Sequence, residues 1–153
     1  MEKAVVLAML KKQKRLYSYL VVLSTLLALP VIGQALSFLF LLPTAAQLAL
    51  AIGILVLACR TKQFKVGAIL TIISTGVLIL VVVLQLILLI ILPSAFDILS
   101  TGTEIYAYIV LVLTTCSWIL QIVATVFNYI GREKVGRTIL EMEAGGIFDN
   151  VLF

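Results

Sequence analysis

Long stretches without any charged residue constrain this chain more than any other feature of its sequence. Three such stretches occur, at residues 16–59, 66–96 and 105–131, and they are 44, 31 and 27 residues long. An α-helix needs about 20 apolar residues to cross the roughly 30 Å hydrocarbon core of a bilayer. With 63% hydrophobic and only 12% charged residues, the chain has the composition of an integral membrane protein.

The first stretch is long enough for two crossings, whereas each of the others holds one. A single helix of 44 residues would reach about 66 Å, twice the thickness of the hydrocarbon core. Pro30, Gly33 and Pro43 supply turn residues in the middle of this stretch, while Pro93 and Gly131 are predicted to end the third and fourth helices. We therefore predict an all-α fold, an integral membrane four-helix bundle. The predicted spans cover residues 16–34, 44–60, 66–92 and 105–130.

The basic residues predict the orientation of this bundle. All 11 Lys and Arg residues lie within residues 1–15, 60–65 and 132–137, and a four-span topology places these three clusters on one side. The opposite side carries only Asp97 and Glu104. The positive-inside rule therefore predicts cytoplasmic termini in a multi-pass protein, with the plasma membrane as its location. Because topology accounts for the net charge of +4, we expect no nucleic-acid partner.

The sequence also predicts the structure of three short segments outside the spans. Residues 1–15 combine an apolar run with a basic cluster, which favours an interfacial helix held by anionic lipid headgroups, although a flexible terminus is an alternative. The apolar connection at residues 35–42 is either interfacial or re-entrant. Residues 132–153 form a cytoplasmic tail whose short helix is predicted to end at Gly145 and Gly146. Beyond them we expect five apolar residues to dock on a partner: Ile147, Phe148, Val151, Leu152 and Phe153.

The residue types that are missing exclude most chemistry. The chain has no histidine, and the predicted spans contain no Asp, Glu or Lys and no Arg other than Arg60 at the end of the second span, which argues against proton relays, ion coupling and Ser-His catalysis. The two cysteines, Cys59 and Cys116, are interpreted as small hydrophobic residues packed in the bundle. We therefore predict no catalytic residue, no metal and no cofactor.

Uncharged polar residues within the spans form a pattern. Five of them on the fourth span recur every three or four residues and fall within an arc of about 80°, and a similar set shares a face of the third span. We interpret them as a seam where two helices pack, and a hydrated vestibule open to the cytoplasm is the alternative. The predicted seam residues are Gly67, Thr71, Ser74, Gln85, Thr114, Ser117, Gln121, Thr125 and Asn128.

These observations favour a non-catalytic function. The leading interpretation is an accessory or scaffolding subunit that packs beside other membrane subunits or copies of itself in the lipid bilayer. One alternative is a small pore or carrier for an uncharged or lipidic solute, formed by oligomerisation. Another is a regulator or immunity-type protein that acts through its cytoplasmic tail.

Overall fold

The structure, a computed structural model, describes residues 3–29, 42–91 and 100–151. The backbone in these ranges forms four helices and contains no β-strand, which confirms the all-α fold class. The helices are α1 (Lys3–Ala28), α2 (Leu42–Thr61), α3 (Val66–Ile91) and α4 (Ser100–Val151).

Each helix packs against two others, so that the four form a closed ring. α1 contacts α2 and α4, and α3 also contacts α2 and α4. All four contribute to one apolar core, which includes Leu20 of α1, Ile54 of α2, Ala68 of α3 and Val135 of α4. The spacing of the buried residues explains this packing. In α2, for example, they recur every three or four positions and so lie along one face of the helix.

Three of the helices are long and apolar enough to cross a membrane, as expected of a membrane protein. The qualifying segments are Leu42–Thr61, Val66–Ile87 and Glu104–Gly145. Large apolar side chains on their outer faces are exposed, including Val56, Ile73 and Leu111. The bounds of α2 and α3 agree with the predicted spans to within two residues.

The first helix does not qualify as a span within the described residues. Its N-terminal half is basic, and residues 30–34 of the predicted first crossing lie outside the described residues, as do residues 35–41 of the apolar connection. The crossing by α1, which would bring the number of spans to four, therefore stays a prediction. The cytoplasmic position of both termini also stays a prediction.

Residues 1–15 are predicted to form an interfacial segment, and their described part belongs to a longer helix, while the position at the membrane surface stays a prediction. Lys3 to Arg15 are the first half of α1, which continues unbroken into the apolar half. The physical reason lies in the spacing of the buried side chains, which alternates between three and four residues across both halves. These buried residues are Leu10, Gln13, Tyr17, Leu20, Ser24 and Leu27.

The end of the fourth helix also differs from the prediction. α4 continues through Gly131 and through Gly145 and Gly146, so that it is 52 residues long. Gly131 is not a helix terminus because it serves as a contact: a Cβ there would lie 2.9 Å from the Cζ atom of Tyr17. Only a residue without a side chain lets the tyrosine ring rest against α4 at this point.

α1 and α4 run antiparallel and are in contact from Lys11 to Ala28 of α1. The Nζ atom of Lys11 lies 2.8 Å from a carboxylate oxygen of Glu143 at one end. At the other end, the Nε1 atom of Trp118 donates a hydrogen bond of 2.7 Å to the carbonyl oxygen of Ala28. Residues 3–15 of α1 and 131–145 of α4 therefore form a two-helix unit, which we call the projection.

The turn between α2 and α3 is capped by its own backbone. Lys62 adopts a left-handed conformation with φ 54°, and the amide of Gln63 donates a 3.1 Å hydrogen bond to the carbonyl of Ala58. This is the Schellman pattern that ends helices. Phe64 then stacks on Phe127 of α4, with ring centroids 6.3 Å apart. The turn is thus fixed to α4 near the projection.

The cysteines do not pack in the interior as predicted. Cys59 and Cys116 are both free and exposed. Their neighbours Ala58 and Ser117 occupy the buried positions, and one residue along a helix turns a side chain by about 100°.

The predicted topology can be tested by cysteine labelling from each side of the membrane. In a background of Cys59→Ala and Cys116→Ala, we expect a cysteine at Thr101 to react with an impermeant maleimide only from outside. A cysteine at Gln63 should react only after the cytoplasmic side is opened, because all basic clusters lie on that side in the four-span topology. Labelling of Thr101→Cys from the cytoplasm, or of Gln63→Cys from outside, would contradict the topology.

Candidate functional site: a polar seam between α3 and α4

Six of the predicted seam residues meet between α3 and α4. The two helices are antiparallel, so that Gly67 at the start of α3 lies beside Asn128 of α4, and Ser74 lies beside Gln121. Each of the six is buried, although all lie on helices whose outer faces are apolar and exposed. They are Gly67, Thr71 and Ser74 of α3, and Ser117, Gln121 and Asn128 of α4.

Ser74 is bonded to α4 through both its side chain and its backbone. Its Oγ atom donates to the Oε1 atom of Gln121 at 2.8 Å, and the carbonyl of Thr71 lies at 3.1 Å as another acceptor. The Oγ atom of Ser117 donates to the carbonyl of Ser74 at 3.2 Å. These bonds join the helices at the centre of the seam.

A second connection lies about one turn from the first along α3 and about two turns from it along α4. The Nδ2 atom of Asn128 donates to the Oγ1 atom of Thr71 at 2.8 Å, and that hydroxyl donates to the carbonyl of Gly67 at 2.8 Å. Cross-helix hydrogen bonds of this kind contribute about 0.6–2 kcal/mol each in membrane proteins. The seam therefore holds α3 to α4 through a short chain of bonds.

Gly67 lets the two backbones approach closely at the end of this chain. A Cβ atom at this position would lie 2.8 Å from the backbone nitrogen of Asn128 and 2.9 Å from the carbonyl carbon of Phe127. The backbone atoms of a helix cannot yield as a flexible side chain does. Gly67 is therefore required for the distance between the helices at which Asn128 reaches Thr71.

Some polar atoms of the seam have no partner among the described residues. They are buried, and they include the Nε2 atom of Gln121, the Oδ1 atom of Asn128 and the Oγ1 atom of Thr75. An unpaired buried donor or acceptor costs about 1–3 kcal/mol. The amide groups of Gln121 and Asn128 thus each have one polar atom that bonds to the neighbouring helix and one that has no partner among the described residues.

The remaining predicted seam residues do not join the helices. Thr114 and Thr125 are half-buried and donate to carbonyls of their own helix, those of Val110 and Gln121. Gln85 is half-buried near the other end of α3 and makes no hydrogen bond to the seam residues above.

The predicted docking residues cannot be compared with the structure. The side chains of Ile147, Phe148 and Val151 lie outside the described residues, as do Leu152 and Phe153 entirely. The backbone at residues 147–151 continues the helix α4. Docking by these residues stays a prediction.

A second set of polar contacts joins α1 to α2 and to the turn after it, and the sequence analysis missed this set. The Nε2 atom of Gln47 donates to the Oγ atom of Ser24 at 3.0 Å. The Oγ1 atom of Thr61 donates to the Oε1 atom of Gln13 at 3.1 Å. The hydroxyl of Tyr17 donates to the carbonyl of Phe64 at 2.7 Å, and Tyr17 is fully buried.

The α3–α4 seam and the contacts that join α1 to α2 are built from uncharged polar groups. Their side chains are amides, hydroxyls and a phenol, and the hydrogen bonds described above pair most of them with each other. Among the described residues, no three His, Cys, Asp or Glu side chains come together as a metal site would require. No family model, curated protein or solved structure matches the chain.

Two glycines of α3 form a matched pair for testing the close approach. We expect Gly67→Ala to lower the free energy of unfolding by about 1–3 kcal/mol, since the added methyl group meets backbone atoms of α4. Gly76→Ala should be neutral or stabilise by about 0.5–1 kcal/mol, because nothing lies within 4 Å of its Cβ position. Thermal unfolding in detergent, followed by circular dichroism, measures both. Equal effects of the two substitutions would contradict the close approach.

A double-mutant cycle tests the bond between Ser74 and Gln121. We expect Gln121→Leu alone to lower stability by about 1 kcal/mol, and Ser74→Ala to show a coupling energy with it of about 0.6–2 kcal/mol. Thr115→Val is the control, because this exposed threonine bonds only to its own helix, and it should change stability by less than about 0.5 kcal/mol. A coupling energy of zero would show that the bond does not hold the helices together.

Proposed function

We propose that the protein is a non-catalytic, multi-pass membrane protein that serves as an accessory or scaffolding subunit of a larger complex in the plasma membrane. The observation that carries this proposal is the unbroken length of α4. Its 52 residues correspond to about 78 Å, more than twice the hydrocarbon thickness. At least one end of α4 therefore extends well beyond a membrane that it crosses.

The packing of α1 supports the same function. The basic half of α1 lies along the extension of α4, with Leu10 and Val135 buried in the shared core and Lys11 paired with Glu143. A packed helix pair is stiffer than a single helix and presents fixed positions to a neighbour. Such a projection suits a protein that positions other subunits.

The seams support a structural role over a chemical one. Inside the apolar part of the molecule, polar side chains are bonded across helices, as in Ser74 with Gln121 and Ser24 with Gln47. Their hydrogen-bonding capacity is largely used to join helices. The outer faces of α2 to α4 carry exposed apolar side chains, and these can contact lipid or other membrane subunits.

One observation favours a second candidate, a small pore or carrier for an uncharged or lipidic solute. The unpaired Nε2 of Gln121 and Oδ1 of Asn128 lie in the same seam, and a solute path between α3 and α4 would use them. Both atoms are buried, so that this function requires the helices to separate. Loss of transport in Gln121→Leu at unchanged stability would favour it over the scaffolding role.

Deleting residues 147–153 tests whether the end of the chain docks on a partner. We expect the truncated protein to lose its partner subunits, because each apolar side chain that is fully buried in such a contact contributes about 1.5–3 kcal/mol before ordering costs. The measurement is the mass of the complex extracted from native membranes in mild detergent.

The control for this deletion is Asp149→Ser with Asn150→Ser, which retains all five apolar residues of the segment and should preserve the complex. Retention of every partner at full occupancy by the truncated protein would place the contact within the membrane. A full-length chain that is monomeric and free of partners in mild detergent would contradict the scaffolding function itself.

A further inference from the structure

A groove of about 350 Å³ lies between the two helices of the projection. Lys11, Lys14 and Arg15 line it from α1, and Gly136 and Glu143 are among the residues that line it from α4. This volume lies at the lower end of the range typical of ligand sites, about 300–1,000 Å³. The groove is therefore large enough for a small polar group, and its charges decide which kind.

The groove carries an excess of positive charge. Lys11 is paired with Glu143 at 2.8 Å, which leaves Lys14 and Arg15 without an ion-pair partner among the described residues. These two cations project from adjacent positions of one helix. A lysine and an arginine together suit a phosphate group, since both donate charged hydrogen bonds to its oxygens.

The α4 side of the groove is shaped to admit a ligand. Gly136 has no side chain, and a Cβ there would lie 3.4 Å from the Nζ atom of Lys14. Ile139 forms a buried apolar floor, and Leu140 next to it is 65% exposed. The groove thus combines two free cations with an apolar surface, as an amphiphilic ligand requires.

The position of the groove relative to the predicted spans favours a phosphate that belongs to a lipid over one that is free in solution. Lys14 and Arg15 directly precede the predicted first span, and Gly136 lies six residues, or about 9 Å, beyond the predicted end of the fourth. The headgroup layer on each side of a bilayer is about 5–8 Å thick. Lys14 and Arg15 therefore lie at the level of the lipid headgroups on the basic side of the protein, and Gly136 lies at the outer edge of this layer.

The geometry points to a binding site for the phosphate of an anionic phospholipid in the groove between α1 and α4, with Lys14 and Arg15 as its ligands. The site is a defined cleft, which distinguishes it from the diffuse attraction of a basic segment to a charged surface. It rests on the predicted membrane position of the projection. It does not depend on partner docking by residues 147–153, so that the two proposals can fail separately.

Lipid titration of the full-length protein tests the selectivity. The protein in neutral detergent is titrated with phosphatidylglycerol or with phosphatidylcholine, and native mass spectrometry gives the apparent Kd of the first bound lipid. We expect phosphatidylglycerol to bind at least tenfold more tightly, because its headgroup is not neutralised by choline. Equal affinities would overturn the proposal.

Two charge-matched double variants locate the site. Lys14→Gln with Arg15→Gln should weaken binding of phosphatidylglycerol by on the order of 10- to 30-fold, since each basic residue near an anionic headgroup contributes about fivefold. Lys12→Gln with Lys65→Gln removes the same charge from exposed positions outside the groove and should leave the Kd within about twofold. Equal weakening by both pairs would show diffuse attraction and overturn the proposal.

A third variant keeps every charge and fills the cleft. Gly136→Leu should weaken phosphatidylglycerol binding about tenfold or more while the thermal unfolding temperature confirms a folded protein. If this variant does not fold, the two charge-matched pairs decide the question. Inorganic phosphate at millimolar concentration should not displace the lipid, and full displacement by phosphate would assign the groove to a soluble anion instead.

Discussion

The structure depends on one constraint: among apolar helices no water is present to hydrogen-bond polar groups. A polar group there must find its partner within the protein, because leaving it unpaired costs several kcal/mol. Helices satisfy the backbone, and the few polar side chains on apolar helices are placed where two helices meet. Ser74 with Gln121, Asn128 with Thr71 and Gln47 with Ser24 all follow this rule. The pairing of polar side chains thus determines which faces of the helices turn toward one another. The apolar faces without polar side chains lie on the outer surface of the protein.

The α1–α4 pair shows how one packing seam can pass through two environments. Along α1 the buried side chains keep their spacing from Leu10 to Leu27, although the surrounding residues change from basic to apolar at Leu16. The inner face is set by contact with α4, and the outer face is set by the medium. Gly131 is the point where Tyr17 lies against α4, close to where this change of medium is predicted.

The sequence predicts the α2 and α3 helices well because their charge-free stretches end abruptly at charged residues or proline. It also predicts most of the α3–α4 seam, since polar residues on an apolar helix stand out. It fails at Gly131, which resembles a helix end but permits the close contact with Tyr17 within a continuous helix. It fails at Gly145 as well, where α4 continues although nothing lies within 4 Å of the Cβ position. The type of residue does not reveal the burial of Tyr17, because aromatic residues near a basic cluster are typical of interfaces, and only the spacing with Leu10 and Ser24 indicates it.

The continuity of α4 has a mechanical consequence. A helix without a break acts as a lever, so that a rotation at one end becomes a translation at the other. The part from residue 131 to residue 151 is about 30 Å long, and a change of 10° in helix tilt would move its tip by about 5 Å relative to the membrane surface. Spanning helices adjust their tilt to bilayer thickness. The thickness of the surrounding membrane would therefore be transmitted to the tip as a displacement comparable to one turn of helix.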